Sequence, residues 1–133
     1  MLLVYTGQEA GNTKRLSFFE KDLVEWKDDK LFDIYSKLFQ LKKNNAALQN
    51  GERGKEMIYL KSTDENNVLA FSRGSRKDKV VAVFNLSNKP VSVVLSGETL
   101  RGSYKNFISG KLESISTMKS FNLNYWEYRI YIK

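Results

Sequence analysis

The sequence predicts a mainly β protein, an antiparallel β-sandwich preceded by a strand and an α-helix. Ahead of Asn50 the apolar residues recur with helical spacing, and after it they alternate with a period of two. The second half is also punctuated at short intervals by turn-forming clusters, as strands joined by hairpins are. A third observation stands apart: the unalternating apolar run Leu2-Leu3-Val4-Tyr5 ends at once in Gly7-Gln8-Glu9-Ala10-Gly11.

Leu2 to Tyr5 has the character of a strand buried on both faces, as in parallel α/β sheets. Nothing later in the chain supplies a parallel partner, so this run is expected to belong to a larger architecture. Leu16 to Trp26 carries Phe18, Phe19, Leu23, Val24 and Trp26 and is expected to pack over something. From Asp28 to Lys43 a helix is predicted, because Leu31, Ile34, Tyr35, Leu38 and Leu41 share one face. Asp28 and Asp29 offer an N-cap, Lys42 and Lys43 suit the C-terminal end, and Asn44-Asn45 provides the stop.

Beyond Asn50, strands are predicted at Met57 to Lys61 and Val68 to Ser72, with Thr63 to Asn67 as the turn between them. Val80-Val81-Ala82-Val83-Phe84 is continuous and β-branched, which places it centrally with both faces buried. Asn88-Lys89-Pro90 makes a turn ahead of Val91 to Leu95, with the proline outside the ladder. Tyr104 to Ile108 and Lys111 to Ser116 flank Ser109-Gly110, a hairpin signal. In the last run Trp126, Tyr128, Ile130 and Ile132 alternate with Glu127, Arg129 and Lys133, so the first set is expected to face the core.

Composition narrows the chemistry. The 133 residues suffice for one ordinary domain, or a small domain plus a borrowed piece of another, and 41% apolar with 13% aromatic content supplies a core. With no cysteine there is no disulfide framework and no thiolate metal site, and the compartment is left open. The chain has no histidine, which removes the commonest general base and metal ligand, so neither a cofactor nor a metal is expected. No apolar run is long enough to span a bilayer, and no membrane partner is expected. The net charge of +7 invites a nucleic-acid partner. The basic residues are scattered, however, and the Arg73 to Lys79 cluster lies where a hairpin loop belongs, so no nucleic-acid partner is expected. Glu52 with Glu56, and Asp64 with Glu65, are read as solvated turn charges rather than as a catalytic pair.

Several stretches, in order, resemble one family. Leu3-Val4-Tyr5-Thr6-Gly7-Gln8-Glu9-Ala10-Gly11 is similar to the last barrel strand and following loop of the α-amylase family of glycoside hydrolases. Phe19 to Trp26 resembles that family's Phe-x-x-Asp-x-Ile-x-Trp segment, and Tyr35 to Asn44 its final barrel helix. Ala47-Leu48 followed by Gly51 resembles the entry into its C-terminal domain. Val68 to Arg73, Val81 to Ser87 and Tyr104 to Gly110 resemble strands of that domain. The sequence departs from the family at Asn45, where a proline usually stands, and lacks a proline near the last strand; both affect turn rigidity rather than chemistry.

The resemblance implies that residues 1–49 are the final strand-loop-helix unit of a (β/α)8 barrel and residues 50–133 a C-terminal β-sandwich. A whole barrel needs about 250 residues, so only its last unit fits here. It further implies a retaining enzyme acting on α-glucans through carboxylates that lie upstream, so that no catalytic residue falls on this chain. The implied partners are the catalytic barrel and, for the parent enzyme, its α-glucan substrate, while the isolated chain is expected to form a homo-oligomer. Gln8 and Glu9 would lie on the substrate side of the barrel, either facing substrate or holding the loop backbone. Tyr131, opposite the expected core face of its strand, is the candidate for an exposed sugar contact. A stand-alone carbohydrate-binding sandwich is the alternative.

Overall fold

The computed structural model describes residues 3–27 and 29–133; Leu2 of the expected strand and the expected cap Asp28 lie outside them. The chain divides into two compact units, Met1–Asn45 and Ala46–Lys133.

In the first unit Leu3 to Tyr5 is not a strand, contrary to expectation. A strand needs a neighbour for its N–H and C=O groups, and here local groups take those of Tyr5. Its N–H donates to the Gln8 side-chain oxygen at 2.9 Å and its carbonyl accepts from the Gln8 N–H at 3.0 Å. A 3-10 turn, Gln8–Ala10, follows, bracketed by Gly7 (φ 86°) and Gly11 (φ 66°) in the left-handed region. The helix α1 spans Lys30–Asn44, and Asp29 caps it by accepting from the Leu31 N–H at 2.9 Å. At Gly11 a Cβ would stand 2.3 Å from the Asp29 Oδ2, so the glycine leaves room for the cap. Leu41 is buried and Ile34, Tyr35 and Leu38 are half-buried along the expected face, with Tyr35 and Phe39 rings 5.9 Å apart. Phe18 and Phe19, by contrast, are 89% and 93% exposed and touch each other edge-on at 4.8 Å.

The second unit opens with two 3-10 turns, Ala46–Leu48 and Gly51–Arg53, and continues as nine strands. These are β1 (Met57–Tyr59), β2 (Lys61–Ser62), β3 (Val68–Gly74), β4 (Lys79–Asn85), β5 (Val91–Ser96), β6 (Gly102–Asn106), β7 (Leu112–Ile115), β8 (Met118–Leu123) and β9 (Tyr128–Ile132). Their pairings are antiparallel. One sheet runs β1-β3-β4-β9-β6-β7 and the other β2-β5-β8. The segment expected as a single strand, Met57 to Lys61, divides at the buried Leu60, with β1 in the large sheet and β2 in the small one. A chain that crosses between packed sheets in this way closes a sandwich corner.

The two sheets bury a shared core of Val68, Ala70, Val81, Val83, Val93, Leu95, Tyr104, Ile115, Phe121, Leu123 and Tyr131, with Leu60 and Leu100 from the connections. β4 is central, as its β-branched run predicts, with Val80 to Val83 all buried. Its other face is apolar too: Val80, Ala82 and Ile130 are buried, and the rings of Phe71, Phe84 and Tyr128 stack at 6.2 and 6.3 Å across three strands. The 3-10 turn Ala46–Leu48 lies against β3 and β4.

That second apolar face corrects two expectations. Tyr131 is fully buried, pairs with Val81 across the sheet and points into the sandwich, so it cannot make an exposed sugar contact. Trp126, expected in the core, lies outside β9 in the β8–β9 turn and is 60% exposed. Alternation cannot choose the inward face when apolar side chains are buried on both sides of a sheet; Tyr128, Ile130 and Ile132 form a fuller apolar stripe than Tyr131 between Arg129 and Lys133, yet they lie on the face away from the sandwich core.

Candidate functional site

The Gly7-Gln8-Glu9-Ala10-Gly11 loop forms because both glycines accept positive φ, which closes a tight turn around the buried Ala10. Gln8 is exposed and spends its side-chain oxygen on Tyr5 within the loop. Glu9 is half-buried, and its Oε2 is buried with no hydrogen-bond partner among the described residues. It lines an open cleft of about 590 Å³ together with Trp26, Asp29, Lys30, Phe32 and Asp33. The loop therefore separates the two candidates, one turned to its own backbone and one held in a cleft. Among the described residues no group of three or more acidic, histidine or cysteine side chains is arranged to hold a metal.

Tyr131 reaches from the core to a half-buried polar pair. Its hydroxyl donates to Glu113 Oε2 at 3.4 Å, and the same carboxylate oxygen accepts from Lys119. The Lys119 ammonium sits 5.3 Å from the Tyr131 ring centre and 5.4 Å from that of Phe121. The Lys119 hydrogen bond, more than any other influence, holds the Glu113 carboxyl below its ordinary value. This half-buried charged pair joins an edge strand of each sheet: it is hydrogen-bonded, and its cation lies against two aromatic faces.

A second cleft, of about 360 Å³, opens on the second unit at the β8–β9 turn, where Trp126, Tyr128, Glu127 and Arg129 meet Asn106 and Ile108 of the β6–β7 hairpin. Trp126 has φ 57°, the one described non-glycine residue in the left-handed region. The turn is held from beneath. The Trp126 N–H donates to the Ser87 carbonyl at 3.1 Å, and the buried Asn85 side chain bonds both Ser87 and the Asn124 carbonyl. The Glu127 carboxylate accepts from the Asn124 N–H at 2.8 Å and from Arg129 Nε at 3.0 Å. The Asn124 amide, and then Arg129, keep that carboxyl below its ordinary value despite burial. Burial opposes the charge on Arg129, but Glu127 more than offsets it and raises its pKa.

Sequence reasoning missed this cleft because β8 was not anticipated. Only Phe121 and Leu123 point inward from it, while Met118, Ser120 and Asn122 are exposed. Had β8 been recognised, Asn124-Tyr125-Trp126 would have read as a turn, since asparagine tolerates turn conformations that strands do not use.

Comparison with known proteins agrees with this architecture. Residues 59–129 match the model of the family described as alpha amylase, C-terminal all-beta domain, which is more than half of the chain. No curated protein sequence matches. Among solved structures, the noncanonic maltogenic alpha-amylase AmyB from Thermotoga neapolitana superposes over 98% of this chain and 32% of its own, with a TM-score of 0.79 at 17% identity. An Anoxybacillus alpha-amylase matches over 83% of this chain and 24% of its own, with a TM-score of 0.63 at 25% identity. An isomaltulose synthase mutant from Erwinia rhapontici matches over 77% of this chain and 17% of its own, with a TM-score of 0.55 at 21% identity. The chain thus spans about a third or less of the length of each. The two-sheet sandwich, its antiparallel order and the matching family model lead to one conclusion: this chain belongs to the alpha-amylase C-terminal all-beta domain family.

Proposed function

We propose that the chain is the non-catalytic C-terminal part of a retaining α-glucan-acting glycoside hydrolase. Residues 1–49 are the last strand, loop and helix of its barrel, and residues 50–133 the sandwich that follows. The observation that carries this reading is the apolar surface of the first unit. Leu3, Phe18, Phe19, Leu23, Trp26 and Phe32 are all largely exposed within some thirty residues, a density that soluble surfaces rarely show unless another surface covers them. A barrel is a fitting cover, because its last strand needs parallel neighbours on both edges and its last helix needs flanking helices. The unpartnered Glu9 oxygen points the same way, since a buried carboxylate oxygen is costly without a donor. A stand-alone sugar-binding module would leave that surface without an occupant.

Retention requires a carboxylate nucleophile and a carboxyl acid/base on opposite sides of the sugar, and both belong to the barrel in this reading. The purified chain is therefore expected to release no sugar from maltotriose or soluble starch, and to self-associate at micromolar concentration through the surface the barrel would cover. Product chromatography and sedimentation velocity read these two outcomes. Glucose release that disappears in Glu9→Gln would overturn the non-catalytic assignment, and a monodisperse monomer would overturn the orphaned-surface argument. Reading the coding sequence upstream for a barrel with its catalytic carboxylates tests the parentage directly.

A further inference from the structure

We propose that the β8–β9 turn presents Trp126 as the stacking face of a carbohydrate site on the sandwich, one that takes a short stretch of α-glucan over the cleft shared with Tyr128, Glu127, Arg129 and Asn106. The choice of sugar rests on the function proposed above; the site itself rests on the geometry of this turn.

The first argument is the conformation of Trp126. A left-handed backbone is unfavourable for a bulky residue and persists only where the surroundings impose it. Here backbone bonds impose it: Trp126 N–H to Ser87, Glu127 N–H to Asn124 at 3.1 Å, and the Asn85 amide to Asn124 at 2.8 Å. The ring recovers little of that cost by burial, being 60% exposed. The protein thus fixes the backbone from which an exposed indole projects, and leaves its face for something else. A rigid aromatic surface loses little entropy when a ligand settles on it.

The second argument is the chemistry around the ring. The cleft volume, about 360 Å³, is at the small end of the range for ligand sites, roughly 300–1,000 Å³. Glu127 and Arg129 are paired at 3.0 Å and neutralise one another, so the cleft has little attraction for an ionic ligand. A neutral molecule with an apolar face and many hydroxyls matches these surfaces. A pyranose lays its C–H face on an indole and offers its rim hydroxyls to a carboxylate that accepts and a guanidinium that donates. An apolar protein partner would instead have to bury that polar pair.

The test is isothermal titration calorimetry of the purified 133-residue chain with maltoheptaose, with cellohexaose as the β-linked comparison. Trp126→Gly is the informative variant, because it removes the ring while glycine accepts the turn's φ, so its thermal midpoint should not fall. We expect maltoheptaose to bind the parent chain and Trp126→Gly to lose about tenfold or more, the effect of one buried aromatic face. Tyr125→Ala, which truncates a comparably exposed ring outside the cleft, should bind like the parent. Absence of maltoheptaose binding, or undiminished binding by a folded Trp126→Gly, overturns the site. Cellohexaose binding as tightly as maltoheptaose overturns the α-glucan assignment. Turnover by the chain, which would defeat the non-catalytic reading, is not what this titration measures, so either idea can fail alone.

Discussion

The side-chain amide of Asn85 reaches across the end of the sandwich to donate to the carbonyl of Asn124 at 2.8 Å, joining the end of β4 to the turn that begins after β8. The same nitrogen donates to the Lys89 carbonyl at 2.7 Å, and the side-chain oxygen accepts from both the N–H and the hydroxyl of Ser87. One buried amide therefore ties two loops together. Asn85→Ala should destabilise the fold by about 2–4 kcal/mol, because it removes a buried side chain together with its bonds to the Lys89 and Asn124 carbonyls and to the half-buried Ser87 N–H. Urea unfolding measures this, and a loss well under 1 kcal/mol would show that water replaces the amide.

The reversed roles of Tyr131 and Trp126 can be checked directly. Tyr131→Ala removes a fully buried ring from the core and should cost about 3–5 kcal/mol. Trp126→Gly relieves a left-handed tryptophan and should be neutral or stabilising by about 1 kcal/mol. Thermal denaturation should show a large fall for Tyr131→Ala and no fall for Trp126→Gly. A larger loss from Trp126→Gly than from Tyr131→Ala would return Trp126 to the core.

Stability should also depend on acid through Glu113. Its folded pKa lies below the ordinary 4.5, chiefly through the Lys119 hydrogen bond, so the unfolded chain binds the proton more readily. The contribution is then fully present above that ordinary value and is lost as pH falls through the lower, folded one. Glu113→Gln should be less stable than the parent near neutrality, and the difference should shrink in acid. Denaturation midpoints collected across that range test the sign; a difference that widens in acid would contradict it.

The second unit holds its own core, since every member of the central cluster lies between Leu60 and Tyr131. A polypeptide of residues 46–133 should unfold in a single cooperative transition and sediment as a monomer, having shed the exposed aromatics of the first unit. Absence of a transition would mean that the sandwich needs the preceding unit to fold.

Much of this architecture was legible in the sequence because local chemistry and final structure agree. Asp29 caps the helix it was expected to cap, and the β-branched run at Val80 to Val83 became the central strand. What was not legible depended on partners outside the segment being read. Leu3 to Tyr5 has the composition of a buried strand, but strand formation needs a neighbour, and the backbone groups of Tyr5 found Gln8 instead. Tyr131 and Trp126 exchange their expected roles because the apolar stripe of β9 is buried on the face away from the sandwich core, leaving Tyr131, between Arg129 and Lys133, to point inward. Only the pairing of Val81 with Tyr131 reveals which face looks inward. Of the candidate site residues, Gln8 and Glu9 could be placed on a loop from their flanking glycines; that only Glu9 lines a cleft could not be foreseen, because it depends on where Asp29 and Asp33 of another segment come to lie.

The two-faced character of β4 bears on misfolding. In most sheets a slip of one residue is punished at once, because it turns apolar side chains out to water and polar ones in. Along Val80-Val81-Ala82-Val83 a slip exchanges one valine for another or for alanine, so hydrophobicity barely resists it. The safeguards must therefore sit at the strand's two ends. At one end the hairpin that leads into β4 is fixed by Gly74, the last residue of β3 and the partner of Lys79: with φ 122° it has no room for a Cβ beside the Asp78 carbonyl, and Ser75 N–H closes the hairpin onto that same carbonyl at 2.7 Å. At the other, Asn85 meets its partners only in the native alignment. The strand is indifferent to register through its middle and locked at its tips, so errors of alignment should arise first from substitutions at Gly74 or Asn85 rather than from any change among the valines.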